Sequence, residues 1–168
     1  KLVLIDTFAL PDYYNKDRYF NGLTKYLNNV QKKKIFFLPT LTYTSIKNYY
    51  SAYNQIRESS SQVILKEDFL NFFDLFFAIL HSIRIQFFKF KNLKYVDLDF
   101  SELFNSELKN GISDDIAIEG LLNYRFVKRL KENKVQLDTV IDWWENQAVD
   151  KGLNKGVQTF YPDTKIVG

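Results

Sequence analysis

Short runs of branched apolar residues alternate along this chain with longer stretches of helical periodicity, and that alternation restricts the fold more than any other feature. Leu2-Val3-Leu4-Ile5 is a continuous apolar run of the kind needed by a strand buried on both faces. Ile35-Phe36-Phe37-Leu38, closed by Pro39, repeats the pattern, as do Thr139-Val140-Ile141-Asp142 and Lys165-Ile166-Val167, with Val63-Ile64-Leu65 as a shorter candidate. Between the first two runs, Tyr19, Phe20, Leu23, Tyr26 and Leu27 recur at helical spacing and predict a helix over 17–29. The Thr/Ser cluster ending at Ser45 supplies caps for a helix running to about residue 58, and the phenylalanine-rich stretch 67–90 predicts one long helix. Further helices are predicted over 102–109 and 114–133, capped by Ser101 and Ser113, and over 150–159.

Strands separated by helices require crossover connections, which favour a parallel sheet with both faces covered. The expected fold is therefore an α/β, Rossmann-like, doubly wound domain with a mainly parallel sheet and helices on both faces. A chain of 168 residues, 46% hydrophobic and 17% aromatic, holds enough apolar material for one such core. No repeat or linker divides residues 1–168, since Ser59-Ser60-Ser61 is too short to separate domains.

The composition removes several chemistries. Without cysteine there is no disulfide, thiolate metal site or cysteine nucleophile. The single histidine, His81, cannot build a multi-histidine centre, and its place in the phenylalanine-rich segment suits a packed role. A carboxylate-held magnesium or calcium is compatible with the composition, but no loop carries the regular acidic spacing of an EF-hand, and neither a metal site nor a cofactor is assigned. The first strand is followed by Asp6-Thr7-Phe8-Ala9-Leu10-Pro11 with no glycine, which excludes a dinucleotide fingerprint or P-loop there. A net charge of +3 falls short of a dedicated nucleic-acid binder. The opening apolar run lacks the charged segment and cleavage site of a signal peptide, so the expected location is cytoplasmic.

Ligands of open parallel sheets bind beyond the carboxyl ends of the strands. That rule directs attention to residues 6–12, 39–45 and 143–151. Trp143-Trp144-Glu145-Asn146-Gln147 follows a predicted strand directly and concentrates a carboxylate, two amides and two indoles there. Glu145 is a candidate general base toward a hydroxyl if burial against indole raises its pKa. Asn146 and Gln147 suit hydrogen bonding to a polyhydroxylated ligand, Trp144 offers a flat apolar face, and Asp6 is placed to orient a hydroxyl from the end of the first strand. Lys151-Gly152 and Lys155-Gly156 offer a weak phosphate grip, or simply the exposed face of an amphipathic helix. The competing structural reading makes the tryptophans core residues and Glu145 a cap of the next helix.

The block Val140-Ile141-Asp142-Trp143-Trp144-Glu145-Asn146-Gln147, with Asp150-Lys151-Gly152, Gly156, Tyr161-Pro162 and Lys165-Ile166-Val167-Gly168, resembles a segment of bacterial surface-carbohydrate biosynthesis proteins of glycosyltransferase type. The opening Leu4-Ile5-Asp6-Thr7-Phe8 adds to the likeness, and Ala148 and Val149 depart from it where those motifs read Pro or Trp. The resemblance implies the N-terminal half of a two-domain, GT-B-like transferase in O-antigen or capsule assembly. It implies a cleft shared with a second domain, a nucleotide-sugar donor and a glycan or lipid-linked acceptor. On that likeness Glu145 is the catalytic carboxylate, and Asn146, Gln147 and, less directly, Lys151 contact substrate.

A second reading comes from the stretch 69–88, whose phenylalanines exceed what one helix face needs. Asp74 and Arg84 argue against a membrane span. Apolar residues on several faces, with Lys66, Lys89, Lys91 and Lys94 alongside, fit a noncatalytic interaction domain that contacts a partner protein, a second subunit or the inner face of a membrane.

Overall fold

The computed structural model describes residues 1–11, 22–59, 62–110, 115–145 and 147–168. In chain order its elements begin with β1 (Leu2–Ala9), a 3-10 turn (Leu23–Tyr26), α1 (Asn29–Lys32), β2 (Ile35–Leu41), α2 (Tyr49–Arg57), α3 (Phe72–Ile79) and α4 (His81–Phe87). They continue with β3 (Lys94–Tyr95), β4 (Leu98–Asp99), α5 (Ser101–Asn110), α6 (Asp115–Glu132), β5 (Leu137–Ile141), α7 (Ala148–Phe160) and β6 (Lys165–Val167).

The first apolar run becomes a central strand. β1 pairs in parallel with β2 on one side and β5 on the other, and β6 extends the sheet beyond β5, giving the order β2-β1-β5-β6. β3 and β4 form a separate antiparallel hairpin. All four strands of the main sheet are parallel and flanked by helices, as the strand-helix alternation requires. On one face, Leu4, Leu38 and Val140 pack with Phe126, Val127 and Leu130 of α6 and Leu153 and Val157 of α7. A smaller cluster of Ala9, Ile56 and Leu65 ties α2 to the end of β1.

Helices α6 and α7 approach each other closely enough to exclude side chains at their crossing. A Cβ on Gly120 would collide with the carbonyl of Ala148, and one on Gly152 with the carbonyl of Gly120. Gly152 and Gly156 let α7 lie against α6, while Lys151 and Lys155 stand on its exposed face, as expected of an amphipathic helix.

Several boundaries differ from the sequence expectation. β1 runs on through Ala9, so Asp6 belongs to the strand and not to a loop. β2 continues through Pro39, whose missing N–H is tolerated because β2 is the edge strand of the sheet. Val63 makes only an isolated bridge to Phe37. The helix expected over 17–29 falls partly outside the described residues. From Gly22 onward its place is taken by the 3-10 turn, and Asn28 starts α1 by accepting from the backbone N–H groups of Val30 and Gln31. The single helix expected over 67–90 is broken into a 3-10 turn (Lys66–Asp68), α3 and α4, because Asn71 caps α3 by accepting from Asp74 N–H. Among the described residues, no helix is long and apolar enough to cross a membrane.

The break at Asn71 also positions Asp74, which clamps α3 onto α6. Its fully buried carboxylate accepts from Arg125 Nε at 2.5 Å and from Arg129 Nε at 2.7 Å. Burial alone would raise this carboxyl, but the Arg129 hydrogen bond, the Asn71 N–H and Arg125 outweigh it and hold the pKa at about 2. A depressed folded-state pKa contributes stability that is complete above the unfolded value and lost as pH falls through the folded one. The clamp should therefore contribute about 2 kcal/mol at neutral pH. In urea titrations, Asp74→Asn is expected to lower stability by about that amount or more at pH 7, with the difference from wild type shrinking between about pH 4 and pH 2. A constant difference across that range would contradict the clamp.

Candidate functional site

The carboxyl edge of the sheet opens into a hollow of about 810 Å³, lined among others by Phe8 of β1, Thr40 of β2, Thr42, Tyr43, Glu145 and Gln147. The hydroxyl oxygens of Thr40 and Thr42 are buried there without a hydrogen-bond partner. Tyr43 holds a left-handed backbone, with φ of 55°. A wall that combines aromatic rings with unused hydroxyls can receive a ligand having both apolar faces and hydroxyl groups.

Glu145 lies on the connection that leaves β5. Its Oε1 accepts from Trp143 Nε1 at 2.7 Å and its Oε2 from Gln147 Nε2 at 3.0 Å, so both oxygens are oriented while the side chain remains exposed. The indole meets this carboxylate with its N–H and not its face, and the burial that the sequence reading invoked for Glu145 is absent.

The backbone of this connection is held from behind by Asp150, in the first turn of α7. Asp150 Oδ2 accepts from the N–H groups of Glu145 at 2.9 Å and Gln147 at 3.0 Å, which satisfies donors that helix geometry would otherwise leave unpaired. Asp150 is fully buried, and it sits beside two more buried acids: one carboxylate oxygen from each of Asp6, Asp142 and Asp150 lies within 4.8 Å of the others. Asp6 shares a face of β1 with the core residue Leu4, and Asp142 is the first residue past β5. Burial, then the negative charge of Asp142, pushes the Asp6 carboxyl well above its ordinary range, while Lys66 opposes this. Burial likewise raises Asp142, against the hydrogen bond that Asn154 donates to its Oδ2.

Lys66 is buried beside this group, and burial lowers its pKa against the charges of Glu67 and Asp6. Its ammonium is engaged by Glu119 and by Asn123 Oδ1. Asn123 in turn donates to the Val149 carbonyl at 3.4 Å, linking α6 to the start of α7.

The residues singled out in the sequence are thus distributed over several surroundings. Glu145 and Gln147 meet at the main hollow. Trp144 and Lys151 line a second hollow of about 570 Å³, together with His81, Tyr124 and Lys155. Asp6 is only 1% exposed, so it belongs to the buried acid group and not to an open wall. Asn146 lies outside the described residues. Sequence reasoning gave Asp150, Asn154 and Asn123 no part in this group, and it set Lys66 in the basic flank of the phenylalanine-rich stretch, whereas the structure buries it here at 3% exposure. The carboxyl-edge rule, applied to acids at every strand end, would have paired Asp6 with Asp142.

Comparison of the chain with protein-family models, with curated proteins and with solved structures returns no match.

Proposed function

We propose that this chain is a sugar-transferase domain of bacterial surface-polysaccharide assembly and supplies the acceptor side of the reaction. The observation that carries the reading is the Glu145 carboxylate, oriented by two donors at the edge of a hollow beyond the strand ends. In this reading a nucleotide-sugar is the donor, a glycan or lipid-linked saccharide is the acceptor, and a second domain supplies most of the donor's contacts. Glu145 accepts the proton of the acceptor hydroxyl as its oxygen bonds to the anomeric carbon and the donor's phosphate departs. Gln147 keeps the carboxylate in place.

The test is label transfer from a panel of nucleotide-sugars to membrane-derived lipid-linked and polysaccharide acceptors. Glu145→Gln should reduce transfer by about a hundredfold or more while leaving the circular dichroism and melting curve unchanged. Undiminished transfer by that variant would remove Glu145 as base, and absence of transfer by the wild-type protein across the panel would contradict the function.

A specific observation favours a second, noncatalytic reading, contact with an anionic membrane surface. Phe72 and Phe73 are each 74% exposed and Phe87 83%, with Phe76, Ile79, Ile83 and Phe88 exposed along the same two helices. Over residues 72–95 the exposed charges are Arg84, Lys89, Lys91 and Lys94, the one acid being the buried Asp74. Aromatic insertion combined with basic flanks is the chemistry of interfacial binding. The protein should sediment with phosphatidylglycerol vesicles and not with phosphatidylcholine vesicles, and reversing Lys89 and Lys91 to Glu should weaken that association by about tenfold or more. Indifference to lipid composition or to the reversals would contradict this contact.

A further inference from the structure

The acid group at the end of β5, beside the middle of β1, contains more negative charge than its protein surroundings neutralise. Asp6, Asp142 and Asp150 are 1%, 5% and 0% exposed, and each leaves its Oδ1 without a hydrogen-bond partner. Lys66 is the nearby buried cation, but its ammonium is bound to Glu119 and Asn123. Isolated buried carboxylates are expensive, and such a group is relieved either by protons or by a bound cation.

An independent feature points to a cation. Asn154 of α7 is 6% exposed, donates its amide to Asp142 Oδ2, and leaves the carbonyl oxygen of the same amide group without a partner. That buried carbonyl oxygen is an ordinary ligand of hard metal ions. The three carboxylate oxygens lie within 4.8 Å of one another, close enough for one ion bound at about 2.1–2.4 Å to reach all of them. A route exists as well: Asp142 and Asn154 line a hollow of about 350 Å³ bordered by Trp144, Gln158 and Gly168.

We propose that Asp6, Asp142 and Asp150, with the side-chain carbonyl of Asn154, form a binding site for one hard divalent cation, Mg²⁺ or Ca²⁺. The donor set is all oxygen, with neither the sulfur nor the imidazole that would favour zinc or copper. Asp150 Oδ2 holds the N–H groups of Glu145 and Gln147 while its Oδ1 is unpartnered, so an ion held by this carboxylate also stiffens the connection that carries Glu145. The site does not depend on the sugar-transfer reading.

Mn²⁺ binding to the full chain, followed by electron paramagnetic resonance at neutral pH, tests the proposal, with Mg²⁺ and Ca²⁺ as competitors. One saturable Mn²⁺ site displaced by Mg²⁺ or Ca²⁺ is expected, together with a higher melting temperature in the presence of the bound ion. The near-isosteric Asp142→Asn should weaken Mn²⁺ binding by about tenfold or more while the far-ultraviolet circular dichroism is retained, and Asn154→Asp, which adds a fourth carboxylate, should tighten it. Absence of saturable Mn²⁺ binding by the wild-type chain would overturn the site even if the variants failed to fold. Folded Asp142→Asn that binds Mn²⁺ as tightly as wild type would overturn it too.

Discussion

Three carboxylates meet where β5 ends beside the middle of β1 and α7 begins, and the placement of the candidate site depends on that meeting. Asp6 comes from the central strand, Asp142 from the residue at which its neighbour leaves the sheet, and Asp150 from the first turn of the helix that follows. Through Asp150 the group holds two backbone N–H groups of the intervening connection, so the side chains of Glu145 and Gln147 are presented from an anchored backbone. The cost of burying acids is opposed by the charge of Lys66 on Asp6 and by the hydrogen bond that Asn154 donates to Asp142.

The apolar core places this group but does not by itself demand it. Leu4, Val140 and Leu153 sit in the same cluster and fix β1, β5 and α7 relative to one another. The crossing of α6 and α7 at Gly120 and Gly152 then brings the start of α7 against the middle of α6, where Asn123 bonds to Val149. Packing and polar bonding therefore converge on one corner of the fold. The Asp74 clamp does the same work for α3 farther along α6 and leaves the phenylalanines of α3 and α4 outside the core.

The sheet was readable from the sequence because its strands are continuous apolar runs, and a parallel sheet follows from helices between them. Its limits were less readable. Asp6-Thr7-Phe8-Ala9 looks like a loop because polar residues interrupt the run, yet β2 pairs with it as far as Ala9. Hydrophobicity likewise joined 67–90 into one helix and hid the cap at Asn71. At the site, Glu145 and Gln147 were found because they follow a strand directly. Asp150 and Asn154 were given no role and Lys66 was set in an exposed basic flank, because their surroundings come from contacts between elements distant in sequence, which a one-dimensional pattern does not encode.

The Asp150 carboxylate anchors the connection bearing Glu145. Amide hydrogen exchange followed by nuclear magnetic resonance reads those bonds directly. The N–H groups of Glu145 and Gln147 should exchange slowly, in the range of interior α7 amides, and should lose protection selectively in Asp150→Ser. Exchange of both amides at the rate of an unstructured peptide in the wild-type chain would contradict the account.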